Sequence, residues 1–240
     1  MKTDLYDQYT STSTSFSLED KGLLESYYAL YSTIIAPILP QDTSVPILDI
    51  ACGWGGLLSV LQKEGYQESY GFDVSQEQID QARQLGVDNV QVSDILEYVD
   101  SCQKESFQVI LLIDILEHLP VSELVTVMKR LKEILRPEGT IIIQVPNGAC
   151  LVSLNFYSDL THYRAFTSIS LTQLARMSGL TPNSYQEVLP NLPTRKRRWL
   201  SRGAWYGLIK PFTYLYMLAT VGNNGGGVYT PNIVGYWRKK

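Results

Sequence analysis

Between residues 46 and 146 short apolar runs alternate with longer stretches in which apolar positions recur three or four residues apart. PILDIA, SYGFDV, NVQVSD, FQVILLI and TIIIQVP read as strands. GGLLSVLQKEGY, SQEQIDQARQLG, a short polar stretch after Asp94 and PVSELVTVMKRLKEILRPEG read as the helices that follow the first four. Such a series builds a parallel sheet covered on both faces, because each right-handed crossover lays a helix against it. Ser75 ahead of Glu77 and Gln78 marks a helix start, and Gly86 and Gly139 mark helix stops. Upstream, about Leu18 to Ile38 has helical spacing and stops at Pro37 and Pro40. After Pro146 the alternation turns irregular: SLTQLARMSGL is a helix ending at Gly179, NSYQEVL a strand, and VYTPNIVGYW a last strand. Residues 190–227, with RKRRW, a Tyr-rich apolar stretch and GNNGGG, interrupt this pattern, and no internal repeat is visible.

At 240 residues and 45% hydrophobic, the chain is long enough for one α/β domain with a full core. Its expected divisions are a helical cap over 1–44, a core over 45–189, an insertion over 190–227 and a last strand over 228–240. A formal charge of −4 excludes a general nucleic-acid binder, which needs a basic face, and leaves a small molecule as the expected partner. Cys52, Cys102 and Cys150 form no C-x-x-C pair, and MKTDLYDQYTSTSTSF lacks the apolar run of a signal peptide. The expectation is a reduced, cytoplasmic protein.

The chain places Asp49 and then three glycines in four positions, in ILDIACGWGG. In an open parallel sheet, ligands sit outside the carboxyl ends of the strands, and glycines there let backbone N–H groups approach. Asp73 ends the second strand, where an acid is placed to accept the hydroxyls of a ribose. Asp94 follows the third. A nicotinamide site shares the ribose acid but prefers G-x-G-x-x-G, and here Leu58 stands where the third glycine belongs.

Taken together, Asp49, Gly53, Gly55, Asp73 and Asp94 make the chain resemble the class I S-adenosylmethionine-dependent methyltransferases over about residues 45–190. The resemblance implies a Rossmann-like α/β fold with a mostly parallel seven-stranded sheet and helices on both faces. It implies that Asp49, Gly53 and Gly55, with Ala51 and Trp54 nearby, contact the amino-acid end of S-adenosylmethionine. Asp73, flanked by Val74, would hold the ribose, Asp94 beside Ile95 would meet the adenine amino group, and Ile113 and Asp114 would pass the sulfonium.

Methyl transfer is an in-line displacement governed by alignment, but an alcohol must also lose a proton, to a base or beside a metal. In IDILEHLP, Asp114, Glu117 and His118 are spaced i, i+3 and i+4, so on a helical turn they would face one divalent ion such as Mg2+ or Mn2+. The segment resembles the E-x-x-E-H stretch of ubiquinone-pathway O-methyltransferases, with aspartate at the first acid. Glu117 and His118 are equally readable as helix-start and loop residues. DLTHYRAFTSISLTQLARMSGL resembles a stretch of methyltransferases in bacterial polysaccharide and sugar-nucleotide pathways. That resemblance makes His162 a base or ligand beside Tyr163, and Arg164 an anion or loop anchor. The catalytic candidates are thus His118, His162 and Asp114.

RKRRWLSRGAWYGLIKPFTYLYMLATVG, residues 195–222, is broken by Arg202, Lys210 and Pro211 and does not span a membrane. It reads as a lid over the substrate pocket or as a peripheral segment with Trp199, Trp205 and Tyr206 at headgroup depth. Arg195, Lys196, Arg197 and Arg198 also suit a diphosphate or a solvated surface. The functional expectation is O-methylation of a sugar hydroxyl, in a nucleotide-sugar or glycan. The alternatives are N- or C-methylation of a natural-product or quinone-type molecule, or a non-catalytic adaptor on the same fold. A homodimer is compatible with each.

Overall fold

The computed structural model describes residues 21–189 and 194–240. The leader segment before Lys21, the start expected near Leu18 and residues 190–193 lie outside the described residues. Seven strands form one sheet: β1 (Ile47–Ile50), β2 (Ser69–Asp73), β3 (Val90–Val92), β4 (Phe107–Ile113), β5 (Leu135–Pro146), β6 (Thr181–Glu187) and β7 (Asn232–Arg238), in the order β3-β2-β1-β4-β5-β7-β6. β1 pairs in parallel with β2 and β4, and β2 with β3. β6 and β7 pair antiparallel.

The single domain expected from length is made of two compact units. The first comprises residues 1–113, 129–141 and 239–240; the second comprises 114–128 and 142–238. In the first unit, α1 (Lys21–Leu30) runs into a wider π-type turn over Tyr31–Ile35 and stops before Pro37. There follow α2 (Gly56–Lys63), α3 (Gln76–Gln84) and α4 (Ile95–Ser101). Ser75 caps α3, accepting from the Gln78 N–H, and Gly86 takes the left-handed conformation just past its end, as the start and stop signals predict. Its core is aliphatic, with Ile47, Leu48, Ile50, Leu58 and Ile110 inaccessible to solvent.

α5 (Val121–Ile134) stops five residues before the expected Gly139. Pro137 biases Arg136 towards extended backbone, and the chain goes straight into β5. Glu138 turns with φ +58°, and its N–H bonds to the Lys239 carbonyl. The second unit holds the latter part of β5, the single turn α6 (Leu154–Tyr157), α7 (Ser168–Met177), β6, α8 (Arg195–Ala204), a second π-type turn at Trp205–Ile209, α9 (Lys210–Val221) and β7. Thr167 caps α7 in a reciprocal pair with Ser170, and Gly179 ends it as expected. β7 begins only after Pro231, a residue that cannot donate to a ladder, so the first four residues of the expected strand form the approach to it.

Candidate functional site

In the first unit, β1 ends in a corner with unusual backbone. Ala51, Gly53 and Gly55 all have positive φ, of +56°, +55° and +75°. Glycine adopts this freely; alanine does so only when its surroundings hold it. A Cβ on Gly55 would come within 2.9 Å of Ala82 Cβ on α3. The Trp54 ring is buried, covers Gly56, and meets Tyr27 of α1 edge-on at 5.5 Å. Leu58, at the place of the third glycine in a nicotinamide fingerprint, packs against Gly71 of β2, where a Cβ would approach Leu58 Cδ1 to 2.6 Å. The glycine needed for close helix–strand packing therefore sits on the neighbouring strand.

Two carboxylates serve this corner. Asp73 accepts the Gly53 N–H at 3.0 Å through Oδ2 and the Ser75 N–H at 2.9 Å through Oδ1, so it ties the glycine turn to β2. Burial raises its pKa, and these hydrogen bonds pull the other way. Asp49 is more extreme. No donor among the described residues offsets its burial, and desolvation together with the neighbouring Asp73 charge lifts its pKa to about 8. Among the other candidates, Asp94 is exposed and caps α4 by accepting the Leu96 N–H at 2.9 Å, Ile95 is buried, Val74 is exposed and Ile113 is half-buried at the end of β4.

The second unit begins at Asp114, whose φ is +52°. Gln144 of β5 grips it twice: the Gln144 amide donates to Asp114 Oδ2 at 2.9 Å, and the Asp114 N–H donates to the Gln144 carbonyl at 2.9 Å. Asp114 keeps an exposed face, yet desolvation around its carboxyl raises its pKa to about 6, and the bond from Gln144 opposes that rise. Leu116–His118 form a 3-10 turn rather than the α-helical turn on which Asp114, Glu117 and His118 were expected to converge. Asp114 accordingly does not join Glu117 and His118 in one cluster. Among the described residues, the side chains that come together are Glu117, His118 and His162, with one ligand atom from each within 4.8 Å of the others.

Several contacts bring residues 159–163 to that turn. The Tyr163 N–H donates to the Glu117 carbonyl at 2.8 Å. The Thr161 hydroxyl donates to Asp159 Oδ1 at 2.6 Å and lies 2.8 Å from His118 Nδ1. Its proton being engaged, His118 Nδ1–H is the donor, which leaves Nε2 as the basic nitrogen. His162 Nδ1 lies 2.9 Å from the Phe156 carbonyl, which can only accept, so the basic nitrogen of His162 is also Nε2, 4.0 Å from Glu117 Oε1. The two imidazoles meet edge to face at 4.6 Å. Burial holds His118 at about 4, so it is neutral near pH 7. Glu117 is wholly buried with both carboxylate oxygens unpartnered, and burial, with the Asp114 charge, pushes its pKa well up. Arg164 Nε is buried without a partner, and Tyr163 is exposed.

Sequence reading missed three supports. Gln144, the lone polar residue in TIIIQVP, was signalled by its own incongruity; Asp159 and Thr161 look like ordinary loop residues and gave no signal.

A family model described as a methyltransferase domain matches residues 23–185. A ubiquinone biosynthesis O-methyltransferase of Actinobacillus pleuropneumoniae is 29% identical over 109 residues, which is 42% of this chain and 45% of that protein. The match thus spans less than half the length of that curated relative. A solved S-adenosylmethionine-dependent methyltransferase from Archaeoglobus fulgidus superposes with a TM-score of 0.63 at 20% identity, covering 98% of this chain and 99% of that one. Geranyl diphosphate C-methyltransferase from Streptomyces coelicolor, solved with Mg2+, geranyl diphosphate and S-adenosyl-L-homocysteine, gives a TM-score of 0.63 at 11% identity over 99% and 98%. At those identities the two structures speak for the fold. The chain belongs to the methyltransferase-domain family, and its fold is that of the class I S-adenosylmethionine-dependent methyltransferases.

Proposed function

We propose that the chain transfers the methyl group of S-adenosylmethionine to a hydroxyl of a small molecule. The residues of the first unit fit the donor. Asp49, buried without a compensating donor, is suited to the cationic ammonium of the methionine tail, and the corner at Ala51, Gly53 and Gly55 brings backbone close to that tail. Asp73 is held with both oxygens oriented, which leaves lone pairs for ribose hydroxyls. Asp94 keeps its second oxygen for the adenine amino group, with Ile95, Val74 and Ile113 as apolar flanks. When bound, S-adenosylmethionine supplies a methyl on a positively charged sulfur, which keeps the electron pair as the carbon–sulfur bond breaks.

The second unit supplies the acceptor chemistry. The observation that carries the assignment to a hydroxyl is the bare Glu117 carboxyl beside two histidines whose tautomers are fixed by their outer hydrogen bonds. A hydroxyl must lose its proton as its oxygen bonds to the methyl carbon, and a buried carboxyl with a raised pKa is a stronger base than an exposed one once ionised. His162, with Nε2 4.0 Å from Glu117 Oε1, is the neighbour placed to pass the proton on, while His118, held at about 4, stays neutral. The same trio fits a divalent ion: its Nδ1 hydrogen bonds are the outer contacts that ligating histidines make. Two imidazole nitrogens and one carboxylate favour Mn2+ or Zn2+ over Mg2+, and a bound ion would acidify a coordinated hydroxyl. We take the acceptor as a sugar hydroxyl in a nucleotide-sugar or glycan, on the resemblance of residues 159–180 to methyltransferases of polysaccharide and sugar-nucleotide pathways. A quinone-type phenol is the second reading, favoured by the relative named for ubiquinone biosynthesis.

The test mixes the purified chain with S-adenosylmethionine and, separately, a nucleotide-sugar panel and a catechol panel, and reads products by mass spectrometry. One added methyl on oxygen, lost in Glu117→Gln, is expected. Methylation on nitrogen or carbon overturns the hydroxyl assignment. Failure to bind S-adenosylhomocysteine in calorimetry overturns the methyltransferase reading itself.

A further inference from the structure

The helix from Arg195 to Val221 is built inside out. Its half-buried or buried positions fall on one stripe, at Arg198, Ser201, Trp205, Lys210, Thr213 and Met217. Two of them bond to β6: the Trp205 indole N–H donates to Glu187 Oε2 at 3.3 Å, and Lys210 Nζ lies 3.1 Å from the same oxygen. The other faces expose large apolar side chains along the whole length. Trp199 and Leu208 are more than 70% exposed, Phe212 and Leu215 about 60%, and Tyr206 and Tyr216 are exposed as well. A lid over a substrate pocket would turn those side chains inward. A monomer rarely leaves so continuous an apolar surface in water unless something covers it.

Charge indicates what covers it. The 53 residues after Glu187 hold nine of the chain's 20 Lys and Arg and none of its 24 Asp and Glu. A chain that is acidic as a whole therefore ends in a wholly cationic segment, and Arg195, Lys196, Arg197 and Arg202 are exposed on the helix itself. An outward apolar face, basic residues at the N-terminal end and aromatic residues with polar tips at Trp199, Tyr206, Tyr214 and Tyr216 suit a helix lying in the headgroup plane. The helix is roughly 40 Å long at 1.5 Å per residue, with enough length to lie flat. Among the described residues no helix is long and apolar enough to cross a membrane.

We propose that residues 195–221 dock the protein on an anionic lipid surface, the basic residues engaging headgroup phosphates and the outer apolar face entering the acyl boundary. A nucleic acid would leave the apolar face uncovered. The same segment of a second copy could cover the apolar face but, holding no Asp or Glu, would leave the basic end without an anionic partner.

The experiment sediments the full chain with vesicles of neutral phosphatidylcholine and of phosphatidylcholine with phosphatidylglycerol, at low and high salt. Binding to the anionic vesicles alone, weakened at least tenfold by salt, is expected. The paired variant Phe212→Ser with Leu215→Ser and the triple variant Arg195→Glu, Lys196→Glu, Arg197→Glu should each lose it. These residues are exposed, and retained S-adenosylhomocysteine binding shows that a variant is folded. Equal binding to neutral vesicles, or binding that the charge reversal leaves intact, overturns the proposal. So does the absence of vesicle binding, whether the protein is monomeric, is a dimer broken by the serine variant, or is captured by RNA instead.

Discussion

Asp49 in the first unit and Glu117 in the second are both carboxyl groups buried against solvent without a cationic partner, yet they are held in opposite ways. Asp49 sits in a corner made from one continuous stretch of chain, with a second carboxylate, Asp73, raising its proton affinity further. Glu117 sits in a pocket assembled from two segments more than forty residues apart, with neutral His118 as its neighbour. Each arrangement is unfavourable alone, since an ionised carboxylate out of water is costly and here keeps its proton instead. Each becomes favourable when a positive charge arrives. Under the proposed function only the chemistry of that charge differs: a fixed ammonium would displace the proton of Asp49, and a divalent ion would displace that of Glu117. The fold carries instability in both places that its ligands would relieve.

The largest expected effect separates the two. Asp49→Asn should weaken S-adenosylhomocysteine binding on the order of a hundredfold or more by calorimetry, because it removes one member of a buried charge pair. The ligand-free variant should be more stable. A carboxyl whose folded pKa is raised stabilises fully below its unfolded value and loses that stability as pH climbs towards about 8, because the unfolded chain ionises first. Asparagine escapes that loss, so the gain should grow by about 1.4 kcal/mol per pH unit above the unfolded value and reach several kcal/mol at pH 8 by denaturant unfolding. If binding falls without a gain in stability, Asp49 was not under strain and the likeness to Glu117 fails.

Glu117→Gln should act at the other place only. Cofactor affinity should stay within about twofold while turnover drops roughly 100-fold or more, the usual contribution of a positioned base. Thermal unfolding adds a readout independent of activity. Mn2+ or Zn2+ should raise the melting temperature of the unaltered chain and leave that of the variant unchanged. A variant that loses cofactor binding as well would mean that the two acids form one site energetically.

The same contrast explains what was legible in the sequence. The sheet, its helices and the donor corner depend on periodicity and on spacings within about fifty residues, and Asp49, Gly53, Gly55 and Asp73 fall into place because each occupies a strand end or its turn. The cluster of Glu117, His118 and His162 is half legible. Glu117 and His118 stood out, but Asp114 was grouped with them on the assumption of an α-helical turn. A 3-10 turn, and the grip of Gln144 on Asp114, hand the third place to His162. Nothing local announces that, since it depends on how residues 159–163 hydrogen-bond to residues 117–118. The helix at 195–221 is legible as basic and aromatic, but its sequence leaves a lid and a peripheral segment both open. Exposure is settled by what the polar stripe finds to bond, and here that is Glu187.

The smallest effect concerns protons and is read on the unaltered protein. Near pH 7 Asp49 holds its proton in the ligand-free chain, because its pKa is about 8. An ammonium set against it would lower that value below the working pH, so binding should release close to one proton. Calorimetry in two buffers of different ionisation enthalpy counts it. The sign is fixed: affinity should fall as pH falls below 8, by roughly tenfold per unit, until the lowered pKa of the complex is reached. Glu117, which no part of S-adenosylhomocysteine neutralises, should contribute nothing, so the slope should persist in Glu117→Gln and vanish in Asp49→Asn. A slope that vanishes in both would show that the proton belongs to the acids jointly, and the ammonium would then need another partner than Asp49.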